Sequence, residues 1–276
     1  MLKTRVVTAL VLLAGFLAAL FWLSPLGWAI FAGALVVPAA WEWGKLIKLT
    51  PVGCSLYVVM VAAVCALLSG LTQADTAIGR PGAQLAVFFA ATLFWIAVVP
   101  LWLRRLWLPR ARSLAALTGL VVLVPTWLAL VELRNLGALL LLMLMSVAWI
   151  SDTAAYFAGR RFGRHKLAPA ISPGKTWEGV GGAVLAVSLY AALWGFAWQA
   201  YFPQVFKSMR FGALGMLVFL WLLTAIGIYG DLFESALKRR AEVKDSGTLL
   251  PGHGGVLDRI DALTSVLPVA ALVFLL

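Results

Sequence analysis

Nine apolar runs take up most of the chain, at about 6–23, 26–41, 52–71, 84–103, 113–131, 136–158, 177–200, 210–236 and 262–276. A helix needs roughly 20 apolar residues to cross a bilayer, and each run is near that length or somewhat short of it. The connections are brief and leave no room for a soluble domain. Charged residues make up 12% of the 276, against about 25% in an ordinary soluble domain. A soluble fold could not bury so much apolar surface, and disordered chains are rich in charge and poor in apolar residues. The expected fold class is all-α: a polytopic integral membrane protein of about nine transmembrane helices.

The net charge of +11 first suggests nucleic acid, but its distribution points elsewhere. Eighteen of the 22 Lys and Arg fall at the N-terminus and in alternate connections, 42–51, 104–112, 159–176 and 237–261. The other connections hold only Arg80, Arg134, Lys207 and Arg210. Lysines and arginines accumulate in cytoplasmic loops, which places the N-terminus inside and the C-terminus outside. Short basic loops scattered along a membrane surface do not suit a nucleic-acid site. The first run exceeds the apolar core of a secretory signal and more runs follow at once, so an uncleaved anchor is expected. Tryptophans near run ends, such as Trp41, Trp43, Trp102 and Trp107, suit interfacial anchoring. Cys54 and Cys65 read as packing residues within one apolar run.

Polar chemistry is confined to about 159–178 and 231–261. Six of the eleven acidic residues, Asp231, Glu234, Glu242, Asp245, Asp258 and Asp261, lie in the second stretch, while Asp152 and Glu178 flank the first. Ionisable groups at membrane depth are costly and mark function. On a continuing helix, Asp231, Glu234, Ser235 and Lys238 share one face, and Asp258 and Asp261 are likewise three apart. Clustered carboxylates repel unless a cation lies between them, and hard oxygen ligands select Mg²⁺, which takes one or two carboxylates plus substrate phosphates. Lysines and arginines would neutralise phosphate oxygens, and Pro251-Gly252-His253-Gly254-Gly255 offers backbone N–H groups for an anion. The residues therefore suggest a metal-dependent polyphosphate site at the inner membrane surface, with a salt-bridged rim as the plainer alternative. Gly174-Lys175-Thr176 is not the end of a P-loop, because Pro169 stands where the first glycine belongs. Glu42, Asp75 and Glu132 have no motif around them and read as helix-end residues.

Two segments carry a resemblance. One is Ser235-Ala-Leu-Lys238-Arg239, then Lys244-Asp245-Ser-Gly247 and Leu250-Pro251-Gly-His253-Gly254-Gly255-Val-Leu-Asp258-Arg259-Ile-Asp261. The other is Ser151-Asp152-Thr-Ala-Ala155-Tyr156, Gly159-Arg160, Gly163 and Ile171-Ser172-Pro173-Gly174-Lys175-Thr176-Trp-Glu178-Gly179. Together they resemble the phosphatidate cytidylyltransferases, or CDP-diacylglycerol synthases. Gly174 stands where relatives often carry a longer polar side chain. The first 130 residues match only in being hydrophobic.

The resemblance implies that CTP and phosphatidic acid give CDP-diacylglycerol and pyrophosphate with Mg²⁺, in a helical homodimer of the cytoplasmic membrane whose site faces the cytoplasm. It admits K⁺ as a second, monovalent cation. Residues 1–130 would be a group of about five scaffold or dimer helices, and 131–276 the catalytic region. Asp231 and Asp258 resemble the metal ligands, with Asp261 beside them. Lys244, Asp245 and His253 join these as catalytic candidates. Lys238, Arg239, Lys244 and Arg259 are assigned to phosphate, and Ser172, Lys175 and Thr176 to nucleotide or lipid phosphate. Asp152, Glu178, Ser235, Gly254 and Gly255 complete the substrate-binding set. Arg160 and Arg164 read as surface residues that attract anionic lipid. His253 either contacts the leaving pyrophosphate or shapes its turn. Two rival functions are a CTP-dependent lipid kinase, which would release CDP, and an anion transporter, which would place its polar residues at the midplane.

Overall fold

The computed structural model describes residues 2–77, 82–201, 212–249 and 254–276. Among them are nine helices, one for each apolar run: α1 Leu2–Trp22, α2 Pro25–Leu46, α3 Pro51–Ala77, α4 Gly82–Arg104, α5 Arg112–Leu136, α6 Ala138–Phe162, α7 Trp177–Tyr201, α8 Gly212–Ala241 and α9 Leu257–Leu275. Seven of them are long and apolar enough to cross a membrane. The turn Phe94–Val98 inside α4 is π-helical and leads into Pro100, where the ring would clash with the carbonyl four residues earlier in a regular helix.

Helix α9 differs from the others. Beyond Asp261 only residues 262–275 remain to it, about 21 Å at 1.5 Å per residue, short of a hydrocarbon core of about 30 Å. Its residues Ala262–Ala271 are all buried, because α8, α5, α4 and α6 pack around it. It is the axis of the bundle, so its charged first turn lies among neighbouring helices rather than in lipid. By contrast α3 turns Val52, Leu56, Val59, Met60 and Leu67 outward, a mostly apolar face that suits acyl chains.

Long-range bonds fix the helix directions. Trp28 Nε1 donates to Leu130 O at 2.8 Å, Trp127 Nε1 to Ala29 O at 3.1 Å and Trp43 Nε1 to Ala115 O at 3.0 Å, so α2 and α5 run antiparallel. A buried indole N–H usually finds such an acceptor. Trp43 is 1% exposed, which corrects its reading as an interfacial anchor. Helices α6 and α7 are antiparallel too: Gly159 faces Gly179 near the hairpin, while Tyr190, further along α7, donates to Met143 O at 3.2 Å nearer the start of α6. A Cβ on Gly182 would meet Ala158, and one on Gly179 the carbonyl of Ala155. Helices α8 and α9 cross with Gly227 against Val266 and Gly230 against Ser265. Small residues allow this close backbone approach. The ends of α2, α6 and α8 and the starts of α3, α5, α7 and α9 therefore lie on one face, the one with the lysine- and arginine-rich loops.

Residues 159–176, read from sequence as a polar loop, contain a small antiparallel hairpin. Strand β1, Lys166–Ala168, pairs with β2, Ser172–Thr176, with Lys166 opposite Thr176 and Ala168 opposite Ser172. Cys54 and Cys65 are buried free thiols, as expected.

Candidate active site

The end of α6, the hairpin and the starts of α7 and α9 enclose a cavity of about 490 Å³ against α8. Its wall carries Asp152, Asp231, Asp258 and Asp261, with Arg160, Lys175 and Arg259 as the cations. The acidic residues of α6, α8 and α9 thus meet in one place. Ser172 lines the same cavity. Arg160, expected at the surface, is exposed at its wall, where Nη1 donates to the Tyr156 hydroxyl at 3.1 Å.

Lys175 Nζ lies 2.5 Å from Asp231 Oδ2 and bridges β2 to α8. Ser235 Oγ donates to the other oxygen of Asp231 at 3.2 Å. One helical turn further, Lys238 Nζ donates to Glu234 at 2.7 Å and to Asp258 at 2.6 Å, tying α8 to α9. The shared face of Asp231, Glu234, Ser235 and Lys238 is therefore real, and each of its four members has a polar partner. Glu234 and Asp258 are almost wholly buried, with side-chain exposures of 4% and 5%.

At the described end of the glycine-rich turn and the start of α9, the backbone donors are taken by carboxylates of the protein itself. Asp258 Oδ2 accepts from the N–H of Gly255 at 2.8 Å and of Ser246 at 2.9 Å, reaching back in the manner of a capping box. Glu42, on α2, takes the next two donors: Val256 N–H at 3.0 Å and Leu257 N–H at 2.8 Å. Ser246 Oγ stands 3.0 Å from Glu42 and 2.9 Å from Asp258, and its single proton serves one carboxylate at a time. Val256 supplies no side-chain cap of its own, so the start of α9 is capped by a carboxylate from another helix, where the dipole favours negative charge. This corrects the reading of Glu42 as an unremarkable helix-end residue. Gly247 and Gly255 lack side chains for the same reason, since a Cβ on either would overlap Glu42. Gly254 adopts φ +82°, in the left-handed region, beside Asp258.

Several expected substrate residues have structural partners, and of these Thr176 also lines the cavity. Thr176 is buried and its hydroxyl accepts from Gly179 N–H at 3.1 Å, capping α7. Glu178 accepts from His165 N–H at 3.2 Å and lies 2.7 Å from His165 Nδ1, which pins the hairpin to α7. Arg239 points away from this cavity and donates to Ile171 O at 3.3 Å. Lys244 and Asp245 are exposed in the loop after α8, off the cavity wall. His253 lies outside the described residues, and so does the side chain of Asp75.

Among the described residues no three carboxylates, imidazoles or thiols are grouped closely enough to hold a metal by themselves. All three expected ligands already have partners in the protein. Asp258 is buried with both oxygens bonded. Asp231 is partly open but bonded to Lys175 and Ser235, so a metal there would have to displace Lys175. Asp261 accepts from Ala262 N–H. Asp231 and Asp261 remain on the wall with Asp152. That donor set fits Mg²⁺, whose usual shell is one or two carboxylates completed by water and substrate phosphate.

A profile of the Cytidylyltransferase family matches residues 3–276. The chain is 39% identical to the phosphatidate cytidylyltransferase of Pseudomonas aeruginosa over 279 positions, covering 98% of this chain and 96% of that protein. It is 34% identical to that of Haemophilus influenzae over 287 positions, 97% and 96% of the two chains. Brucella suis has a phosphatidate cytidylyltransferase 35% identical over 283 positions, 99% of this chain and 92% of that one.

Proposed function

The chain belongs to the Cytidylyltransferase family, and on that premise we propose its reaction and the work of the residues around the cavity. It transfers the cytidylyl group of CTP to phosphatidate, giving CDP-diacylglycerol and pyrophosphate. The observation that carries the assignment of the site is the cavity in which Asp152, Asp231 and Asp261 face Lys175 and Arg259 where α6, α8 and α9 meet.

A phosphate monoester oxygen of phosphatidate attacks the α-phosphorus of CTP. A P–O bond forms there as the bond to the β-phosphate breaks, and the electron pair leaves with pyrophosphate. The monoester is already largely anionic at neutral pH, its second pKa lying near the ~6 of a phosphoserine, so the step needs no general base. The difficulty is bringing two anions together, and catalysis rests on positioning and charge. Lys175 and Arg259 supply positive charge on the cavity wall, and Ser172 adds a hydroxyl beside them. Lys238 is held between Glu234 and Asp258, so it acts through the wall by fixing α8 against α9. Asp231 and Asp261, with Asp152 beside them, would hold Mg²⁺, which would supply charge neutralisation on the phosphate oxygens.

The basic face supports a cytoplasmic site in the cell's inner membrane, because it carries 18 of the 22 lysines and arginines and opens onto the same loops as the cavity. A homodimer and a K⁺ ion beside Mg²⁺ rest on the family resemblance.

The test uses purified protein in detergent with phosphatidic acid, labelled CTP and Mg²⁺, with and without EDTA. A CDP-lipid and pyrophosphate that vanish with EDTA and with Asp231→Asn are expected. Full activity in Asp231→Asn would remove that residue from the metal site. Release of CDP with an alcohol acceptor, and no CDP-lipid, would overturn the reaction itself in favour of a lipid kinase.

A further inference from the structure

On the far side of the hairpin turn lies a second cavity, of about 530 Å³, with the opposite electrostatics. Ile171 lines this cavity and Ser172 the first, so the turn between β1 and β2 is the partition. Helix α8 serves both sides. Asp231, Glu234 and Lys238 belong to the carboxylate site, while Ala236, Arg239 and Arg240, one helical face away, line the second cavity. Its other wall comes from the end of α4 and the connection to α5: Trp102, Leu103, Leu106, Trp107 and Arg110. The two indoles meet edge to face with centroids 4.9 Å apart. A smaller cavity of about 210 Å³ adjoins it, sharing Arg110 and Arg240 and adding Lys48 and Arg112.

The two adjoining cavities therefore present five cations and no carboxylate. Among the described residues none of these five forms an ion pair; the four ion pairs found involve His165, Lys175 and Lys238. Arg239 and Arg240 bond only to backbone carbonyls, those of Ile171 and Pro109, which orient their guanidinium groups without neutralising them. Arginine is the side chain whose fork matches phosphate oxygens. A site for a soluble anion would need only the cations. Here half the wall is Trp, Leu and Ile, and it opens at the end of a membrane helix, where the ligand must be apolar on one side and anionic on the other.

We propose that this paired cavity binds an anionic phospholipid, its phosphate among Arg110, Arg239 and Arg240 and its glycerol and upper acyl chains against Trp102 and Trp107. The site is separate from the reaction cavity, so its occupant need not be a substrate. Lipid charge and basic pockets at the cytoplasmic surface attract each other by about 1 kcal/mol for each lysine or arginine.

The test is native mass spectrometry of the full chain in detergent micelles, titrated with dioctanoyl phosphatidylglycerol, dioctanoylglycerol or inorganic phosphate. One phosphatidylglycerol should bind, and the double variant Arg110→Gln/Arg240→Gln should weaken it by roughly 30-fold, the product of two such contributions. Ala236→Phe, which fills the apolar part and leaves every cation in place, should also lose the lipid. Dioctanoylglycerol should bind no better to wild type than to Ala236→Phe, and millimolar phosphate should not displace the phospholipid. Equal affinity in wild type and both variants would overturn the site. Displacement by phosphate would make it a site for soluble anions, and tight binding of dioctanoylglycerol would make it merely apolar.

Discussion

Glu42 accepts a hydrogen bond from the backbone N–H of Leu257, 2.8 Å away and 215 residues further along the chain. A second bond runs to it from Val256 N–H, so one carboxylate on α2 closes two open donors at the start of α9. Helix α9 also carries Asp258 and Asp261, which places the cavity wall downstream of this cap. Glu42→Ala should therefore lower stability by about 1–3 kcal/mol, the scale of losing hydrogen bonds to a charged group, and reduce activity by displacing Asp258. Glu42→Gln keeps an acceptor but removes the charge, and should lie between Ala and wild type. Thermal unfolding in detergent beside CDP-diacylglycerol formation would show the order; an unchanged midpoint and full activity in Glu42→Ala would refute it.

Lys238 neutralises two carboxylates at once, Glu234 on its own helix and Asp258 on the next. Breaking a buried pair by removing one partner typically costs about 3–5 kcal/mol, and Lys238→Met would strand two acids rather than one. Glu234 already has one oxygen, Oε1, buried without a hydrogen-bond partner. The double variant Lys238→Met/Glu234→Gln should recover much of the lost stability, because only Asp258 then lacks its cation. Its activity should stay low, since α8 and α9 are no longer tied beside the cavity. A double-mutant cycle on unfolding midpoints measures this; strictly additive effects would contradict the shared lysine.

The apolar runs, the basic face and the acidic stripe on α8 were all legible, because each rests on local periodicity. Asp231 with Ser235 and Glu234 with Lys238 are pairs four residues apart, and a helix brings such pairs together whatever surrounds it. Glu42 was not legible. In Trp41-Glu42-Trp43 nothing local distinguishes a capping carboxylate from one at a helix end, and its partners follow more than 200 residues later. The hint was a lone acid between two tryptophans at the edge of an apolar run, which must be paired if it is buried. The hairpin was hidden as well: β2 is Ser-Pro-Gly-Lys-Thr, and proline and glycine are poor strand formers. The division of phosphate-binding candidates between two cavities also escaped the sequence, because Lys238 and Arg239 are neighbours in the chain yet point to different sides of α8.

Helix α8 ends in a Schellman turn. Val243 N–H bonds back to Lys238 O at 3.0 Å and Glu242 N–H to Arg239 O at 3.1 Å. The turn forces Glu242 to φ 63°, a conformation that glycine adopts freely and an L side chain does not. Glu242 is exposed, so its side chain offers little in return. Glu242→Gly should raise stability by about 1 kcal/mol through release of that strain, with CDP-diacylglycerol formation unchanged. A lower unfolding midpoint would mean that the added freedom of the unfolded chain outweighs it.

Two glycines of the family segments should respond in opposite ways. A Cβ on Gly255 would lie 2.5 Å from each carboxylate oxygen of Glu42, and closer still to Ser246 Oγ. None of these is the free end of a loose side chain, because Glu42 is fixed by the two N–H groups it caps. Gly255→Ala must therefore push Glu42 off the start of α9, and a loss of stability at least as large as that of Glu42→Ala is expected. A Cβ on Gly174 meets nothing within 4 Å, although the residue lines the reaction cavity. That open space leaves room for a longer side chain there. Gly174→Ala should stabilise by about 0.4–1 kcal/mol, by restricting the unfolded chain. Gly174→Asn should fold equally well and report on the substrate instead, through a changed KM for CTP or phosphatidate. If Gly174→Ala were the more damaging of the two, the cavity wall at β2 would be closed in the working protein, and the first cavity would have a different shape from the one described.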